Sequence, residues 1–295
     1  MKKFKYLIIG VLVLAILIGA YFLVASLNKE EGTPVADDVA ELITVSDDSA
    51  ASITDFVYTS AKGDVSFSKK TGAWAFVYDA TMPVDQDHVQ KIADAFLKIT
   101  ATREIVGGDT SAYGFDKPTL KANYITSAGD VRSLIIGAKN DMSGTYYLQF
   151  NDKVYMTDST LVDATAYTLF DAIPMGSLEP IEADSITSLT VNGEEVPNKA
   201  GYSDITLTSV ENYKNKENYG FDGSENAVTV KFNYKSDITD DKGNVTSTAT
   251  VEKTYGFFYA QKDSMTYLMI PYDPCIYNVT GIDSLFTEIA KDTAA

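Results

Sequence analysis

The sequence predicts an α+β fold of strand-rich antiparallel sheets with a few covering helices, built as two unequal internal repeats and preceded by one N-terminal transmembrane helix. Three observations predict it. Tyr6 to Leu27 is a charge-free apolar run longer than the roughly 20 residues a helix needs to cross the hydrocarbon layer. Beyond Ile53 come short runs that alternate apolar and polar residues and are rich in β-branched and aromatic side chains, the pattern of half-buried strands. Finally, "YGFD" stands at Tyr113 to Asp116 and again at Tyr219 to Asp222, each time ahead of a similar procession of elements.

In order along the chain, residues 1–5 carry Lys2, Lys3 and Lys5. With acidic residues after the span, they predict a cytoplasmic N-terminus and an extracytoplasmic remainder in the plasma membrane. A cleaved signal is the alternative, but its apolar region is usually about 7–15 residues. Residues 28–50 are polar and acidic, with Gly32 and Pro34, and read as a stalk. The first repeat is expected over 51–176. It opens with strands at Ile53–Thr59, Asp64–Lys69 and Ala73–Tyr78, followed by a helix from Asp85 to about Thr100, since Val89, Ile92, Ala93 and Phe96 recur at helical spacing behind a capping Asp85. Strands at 119–126, 131–137, 145–150 and 153–157 follow, then a helical stretch at Leu161–Ile173. The second repeat, 177–295, gives strands at 227–235, 247–259, 265–270 and 275–279 and a helical stretch at Ile282–Ala290. It lacks the tryptophan and the long helix and has the turn signal Asn192-Gly193 in their place.

Every residue of the repeated tetrapeptide has a structural task. Asp109 and Asn215 are placed to cap one helical turn, Gly114 and Gly220 to end it in the left-handed conformation. Phe115 and Phe221 then enter the core, while Asp116 and Asp222 bond the backbone at the next turn, helped in the first copy by Pro118. Two duplicate catalytic sites built on Tyr and Asp are the weaker reading, because a short motif without context carries little.

Trp74, Pro83-Val84-Asp85 opening a helix, Arg103-Glu104-Ile105, "YGFDKP" at 113–118, "IIG" at 135–137 and "GTYYLQFNDKVYMT" at 144–157 resemble the bacterial family called domain of unknown function 4340. The likeness is good over Ile53 to Ile173 and looser beyond. It implies an N-terminal membrane span and, because many relatives are encoded beside ABC-type transport systems of the gliding-motility kind, an accessory role on the outer face of such a system. It implies no activity and no catalytic residues.

Composition narrows the chemistry. The net charge is −17, and leaving out the three N-terminal lysines makes the remainder more negative still, which disfavours nucleic acid as a partner. One cysteine, Cys275, cannot form an internal disulfide and reads as a small buried residue. With one histidine, His88, expected to face solvent, neither a histidine-based metal centre nor a Ser-His-Asp arrangement is supported, and no phosphate-binding glycine loop occurs. No cofactor or metal is expected. Asp237, Asp240 and Asp241 before Gly243 read as a hairpin tip, since Lys242 occupies the glycine position of a calcium loop. Among the 19 tyrosines, Tyr146, Tyr147 and Tyr155 are candidates for a ligand-facing row. The expectation is a membrane-anchored, non-enzymatic accessory or binding component of an ABC-type envelope transport assembly, its partners the membrane and the transporter subunits. A wall glycan- or peptide-binding module is the alternative, and a carboxylate-dependent hydrolase the weaker one.

Overall fold

Alternation along the strands builds two large antiparallel sheets and a separate two-stranded one, and a computed structural model describes them over residues 42–107 and 110–288. The predicted span, Tyr6–Leu27, and most of the expected stalk lie outside the described residues, among which no helix is long and apolar enough to cross a membrane. The strands of the first half are β1 Ile43–Asp47, β2 Ile53–Ser60, β3 Gly63–Ser68, β4 Ala75–Phe76, β5 Lys98–Ala101, β6 Arg103–Ile105, β7 Leu120–Thr126, β8 Val131–Lys139, β9 Tyr146–Phe150 and β10 Lys153–Thr157. Those of the second are β11 Ile186–Val191, β12 Glu194–Glu195, β13 Thr206–Tyr213, β14 Asn226–Thr239, β15 Val245–Lys262, β16 Met265–Met269 and β17 Cys275–Thr280.

The first sheet runs β4-β3-β2-β7-β8-β9-β10-β6 and the second β12-β11-β14-β15-β16-β17-β13. Apart from β4 the two orders correspond strand for strand: a hairpin at one edge, a meander of four, and at the far edge the strand that precedes "YGFD". Neighbours are antiparallel throughout, so each sheet can be covered on one face and wet on the other.

Two expectations at the start of the fold need correction. The helix is Gln86–Ala95, capped by the Asp85 carboxylate on the His88 amide, and it stops five residues short of the expected end. Beyond it Ile99 and Ala101 are buried and Lys98 is exposed, a period of two, and Lys98–Ala101 pairs with Ile43–Asp47. Those β1 residues were expected to be stalk; a segment too polar to read as a strand alone becomes one because β5 offers it an edge. Asp48 fastens the return, since the Arg132 fork grips its carboxylate at 3.0 and 3.3 Å. The expected helical stretches at Leu161–Ile173 and Ile282–Ala290 are likewise shorter, a helix Thr160–Ala164 with a 3-10 turn Leu169–Ala172, and a 3-10 turn Ile282–Phe286.

The first core lies between the first sheet and the long helix. Phe56 packs against Phe67, Trp74 and Phe96 with ring centroids 5.3–6.2 Å apart. Trp74 is stapled to the helix, its indole N–H donating to Gln90 Oε1 and its backbone exchanging hydrogen bonds with the Gln86 amide. Val210, Cys275 and Tyr277 of the second sheet belong to the same core, so the second core, around Leu189, Val230, Phe257 and Leu268, continues it. Where the first half has its helix, the second has the β11–β12 hairpin, turned by Asn192 and Gly193 at φ 52° and 86°, and a 3-10 turn Lys199–Asp204.

Candidate functional site

The repeated tetrapeptide is the natural place to seek a site, and its geometry is that of a clasp on the wet side of each sheet. In the first copy the 3-10 turn Thr110–Tyr113 delivers Tyr113 onto Tyr147 of β9, rings stacked at 4.4 Å and 21°. Gly114 follows at φ 74°, and a Cβ on it would meet the Ala138 amide nitrogen at 2.8 Å. A Cβ on Gly137 would strike the Tyr113 carbonyl oxygen at 2.0 Å, which explains the glycine of "IIG". In the second copy the turn Glu217–Tyr219 brings Tyr219 edge-on to Tyr267 at 4.9 Å. Gly220, at φ 84°, lies over Ala260, whose Cβ would be 3.1 Å from an added methyl.

The remaining signature residues divide. Phe221 is 1 % exposed, in a small cluster with Ala260 and Ile276, whereas Phe115 is only half-buried. Asp116 and Pro118 are exposed. Asp222 accepts from the Ser224 hydroxyl and amide, which hold its carboxyl below the usual range. Asp109 lies outside the described residues. Asn215 does not cap: the N-cap of its turn is Lys216, already helical at φ −83° and ψ −26°, with no side-chain cap bond.

The tyrosine row does not form. Tyr155 stands opposite Leu148 in register and is buried, and Tyr146 packs against the same core. Tyr147 is on the other face, stacked under Tyr113 and taking a hydrogen bond from the Asn140 amide at 3.2 Å. Adjacent positions on one strand face opposite ways, so Tyr146 and Tyr147 could not share a row.

Two of the open clefts among the described residues are of similar size. One of about 430 Å³ is lined by Thr110, Ser111, Phe115, Asp116 and Gln149, beside the first clasp. The other, of about 440 Å³, lies between the inter-sheet segment and the 3-10 turn before β13, with Gly176, Leu178, Glu179, Ile181, Tyr202 and Ile205 in its wall. The Tyr202 hydroxyl donates to the Glu179 carbonyl at 2.7 Å, and burial pushes that phenol upward. Glu179 and Glu182 stand exposed on the rim. Behind them Tyr277 donates to Asp273 at 2.6 Å and the Cys275 amide to the other oxygen of that carboxylate at 2.9 Å. The Cys275 thiol is pushed up to about 12 by burial and stays protonated, which denies it nucleophilic chemistry.

His88 is half-buried rather than solvent-facing, its ring edge-on to Tyr167 at 4.6 Å and its Nε2 enclosed without a partner. Tyr167 covers it although the helix period alone places it outside. Among the described residues no group of three or more His, Cys, Asp or Glu could hold a metal ion.

Residues 74–219 match the family described as domain of unknown function (DUF4340). No curated protein and no solved structure matches the chain. The match opens at Trp74, stapled to the helix, runs through the first clasp and across to the second sheet, and closes on Tyr219 of the second clasp; this chain belongs to the DUF4340 family.

Proposed function

We propose that this protein is a membrane-anchored, extracytoplasmic, non-enzymatic accessory or binding component of an ABC-type envelope transport assembly, made of two unequal repeats. The observation that carries the non-enzymatic part is the use of the repeated motif. Tyr113 and Tyr219 are committed to Tyr147 and Tyr267, and Gly114 and Gly220 to Ala138 and Ala260. The tyrosines and glycines of the repeated motif are thus engaged in packing, and the molecule acts through its surfaces. The matching strand orders support the repeat. The charge-free run Tyr6–Leu27 behind three lysines supports the anchor and its orientation, and the family resemblance supports the transport setting.

The test is crosslinking and affinity capture of the full-length chain from native membranes, read by mass spectrometry against a form whose residues 6–27 are replaced by a cleavable signal. Transporter subunits recovered only with the native run are the expected result. Their absence from both forms, with turnover of a wall substrate by the outer part, overturns the reading. A second reading, a glycan- or peptide-binding module, is favoured by the cleft at Tyr202, and an equilibrium binding screen with wall fragments addresses it.

A further inference from the structure

In the second sheet β14 and β15 outrun their neighbours. β11 pairs with β14 only as far as Phe232, and β16 pairs with β15 only from Phe258 onward, yet β14 and β15 continue to pair with each other out to Thr239 and Val245. The hairpin therefore extends as a two-stranded ribbon for roughly 20 Å. Its tip is held by the Asp240 carboxylate, which accepts from the Lys242 and Asn244 amides. Ile238 is 49 % exposed and Val245 59 %. An isolated two-stranded ribbon is marginal in water, and three or more strands with an apolar face are needed for it to be stable. A free edge that long also invites another strand.

We infer that two copies of this chain pair through the free edge of β14, antiparallel about a two-fold axis at Ser236. In that register Lys235 of each copy stands opposite Asp237 of the other, and Tyr234 stands opposite Ile238. Opposite charges and aromatic with β-branched pairs are the favourable cross-strand combinations. A two-fold axis normal to the sheet requires a residue to face itself, so registers change two residues at a time. The adjacent registers then place Lys235 on Lys235, or Asp237 on Asp237, and both are repulsive. The sequence thus selects one alignment and penalises its neighbours.

The β15 edge offers no equivalent. Its charges, Glu252 and Lys253, are adjacent and face opposite ways, so no symmetric register sets one against the other, and both have contacts within the chain, Glu252 with Thr187 and Lys253 with the Tyr234 ring. Pairing through β14 joins two ribbons into four strands. One face is then lined by Tyr234, Ile238, Ala249 and Val251, which share a side in the hairpin register. Lys235 and Asp237 occupy the other face, where Asp237 already takes a hydrogen bond from Thr248 at 3.1 Å.

The experiment uses the full chain in mild detergent, with disulfide trapping and co-capture of two differently tagged copies. Ser236→Cys should crosslink to itself readily, because its partner is its own counterpart. Thr239→Cys should not, since the two copies of that residue would stand about 20 Å apart; native Cys275 is buried and silent. Lys235→Asp and Asp237→Lys should each weaken co-capture about tenfold, and the exchange of both together should restore it. The inference is overturned if Ser236→Cys crosslinks no faster than Thr239→Cys, if Ala249→Cys is the efficient position, or if the double exchange fails to rescue the single changes.

Discussion

The two sheets share a strand order but solve the problem of their exposed face differently. The second clasp drives Phe221 fully into a cluster with Ala260 and Ile276, while the first leaves Phe115 half-buried beside an open cleft of about 430 Å³. Conversely, the first half has the buried Trp74 and a helix fastened to it by two glutamines, where the second has only a hairpin and a short 3-10 turn. The same topology is therefore held from the inner face in the first half and relies more on the outer clasp in the second. Equivalent positions in two sheets of the same strand order need not carry equivalent energy; burial decides.

The strongest way to break that comparison is to remove the two phenylalanines. Phe221→Ala should cost about 3–5 kcal/mol, the range for a fully buried aromatic. Phe115→Ala should cost less than about 2 kcal/mol, because much of its ring is in water already. Urea unfolding of both variants measures this, and equal costs would mean that the clasps are energetically the same. Next come the glycines. Alanine at either Gly114 or Gly220 incurs roughly 1–2 kcal/mol for the left-handed backbone. Gly114→Ala also forces a methyl to 2.8 Å from a backbone nitrogen, whereas the Gly220 contact is a methyl at 3.1 Å. Gly114→Ala should therefore be the more destabilising by about 1 kcal/mol or more, reversing the order of the phenylalanines. Smaller again are the ring pairs: double-mutant cycles on Tyr113 with Tyr147 and on Tyr219 with Tyr267 should each return a coupling of about 0.5–1.5 kcal/mol.

Much of this arrangement was legible in the residues. Period-two alternation located the meanders, Asp85 and the spacing to Phe96 located the helix, and Asn192-Gly193 located the hairpin turn. What escaped was decided by tertiary pairing. Ile43–Asp47 becomes a strand only because Lys98–Ala101 lies beside it, and the helical stripe conceals that Ile99 and Ala101 have changed period. Tyr146, Tyr147 and Tyr155 looked alike in composition, yet alternation and cross-strand register set Tyr147 apart. The clefts left no signal in the sequence, since segments far apart in the chain line each of them; the length of the β14–β15 ribbon was hidden because its outer residues alternate as a sheet strand does.

The last comparison concerns the contact between the halves. Lys214, at the end of the second sheet's edge strand, reaches Asp79 at 2.8 Å and Thr81 at 2.8 Å, while Tyr213 donates to the Thr81 carbonyl at 2.9 Å. The Lys214 ammonium, with the Thr81 hydroxyl and amide, holds the Asp79 carboxyl down to about 2, below its ordinary 3.8. A depressed carboxyl favours the folded state fully above its ordinary value, and that contribution disappears as the pH falls toward the folded one. The stability difference between the native chain and Lys214→Met should therefore be small, as for exposed pairs in general, constant above about pH 5, and shrinking between about pH 4 and pH 2. Thermal unfolding across that window measures it. A difference that persists unchanged at the acid end would assign the role of Lys214 to its ammonium over the Tyr213 ring, 4.7 Å away, and leave Asp79 as a bystander in the contact between the sheets.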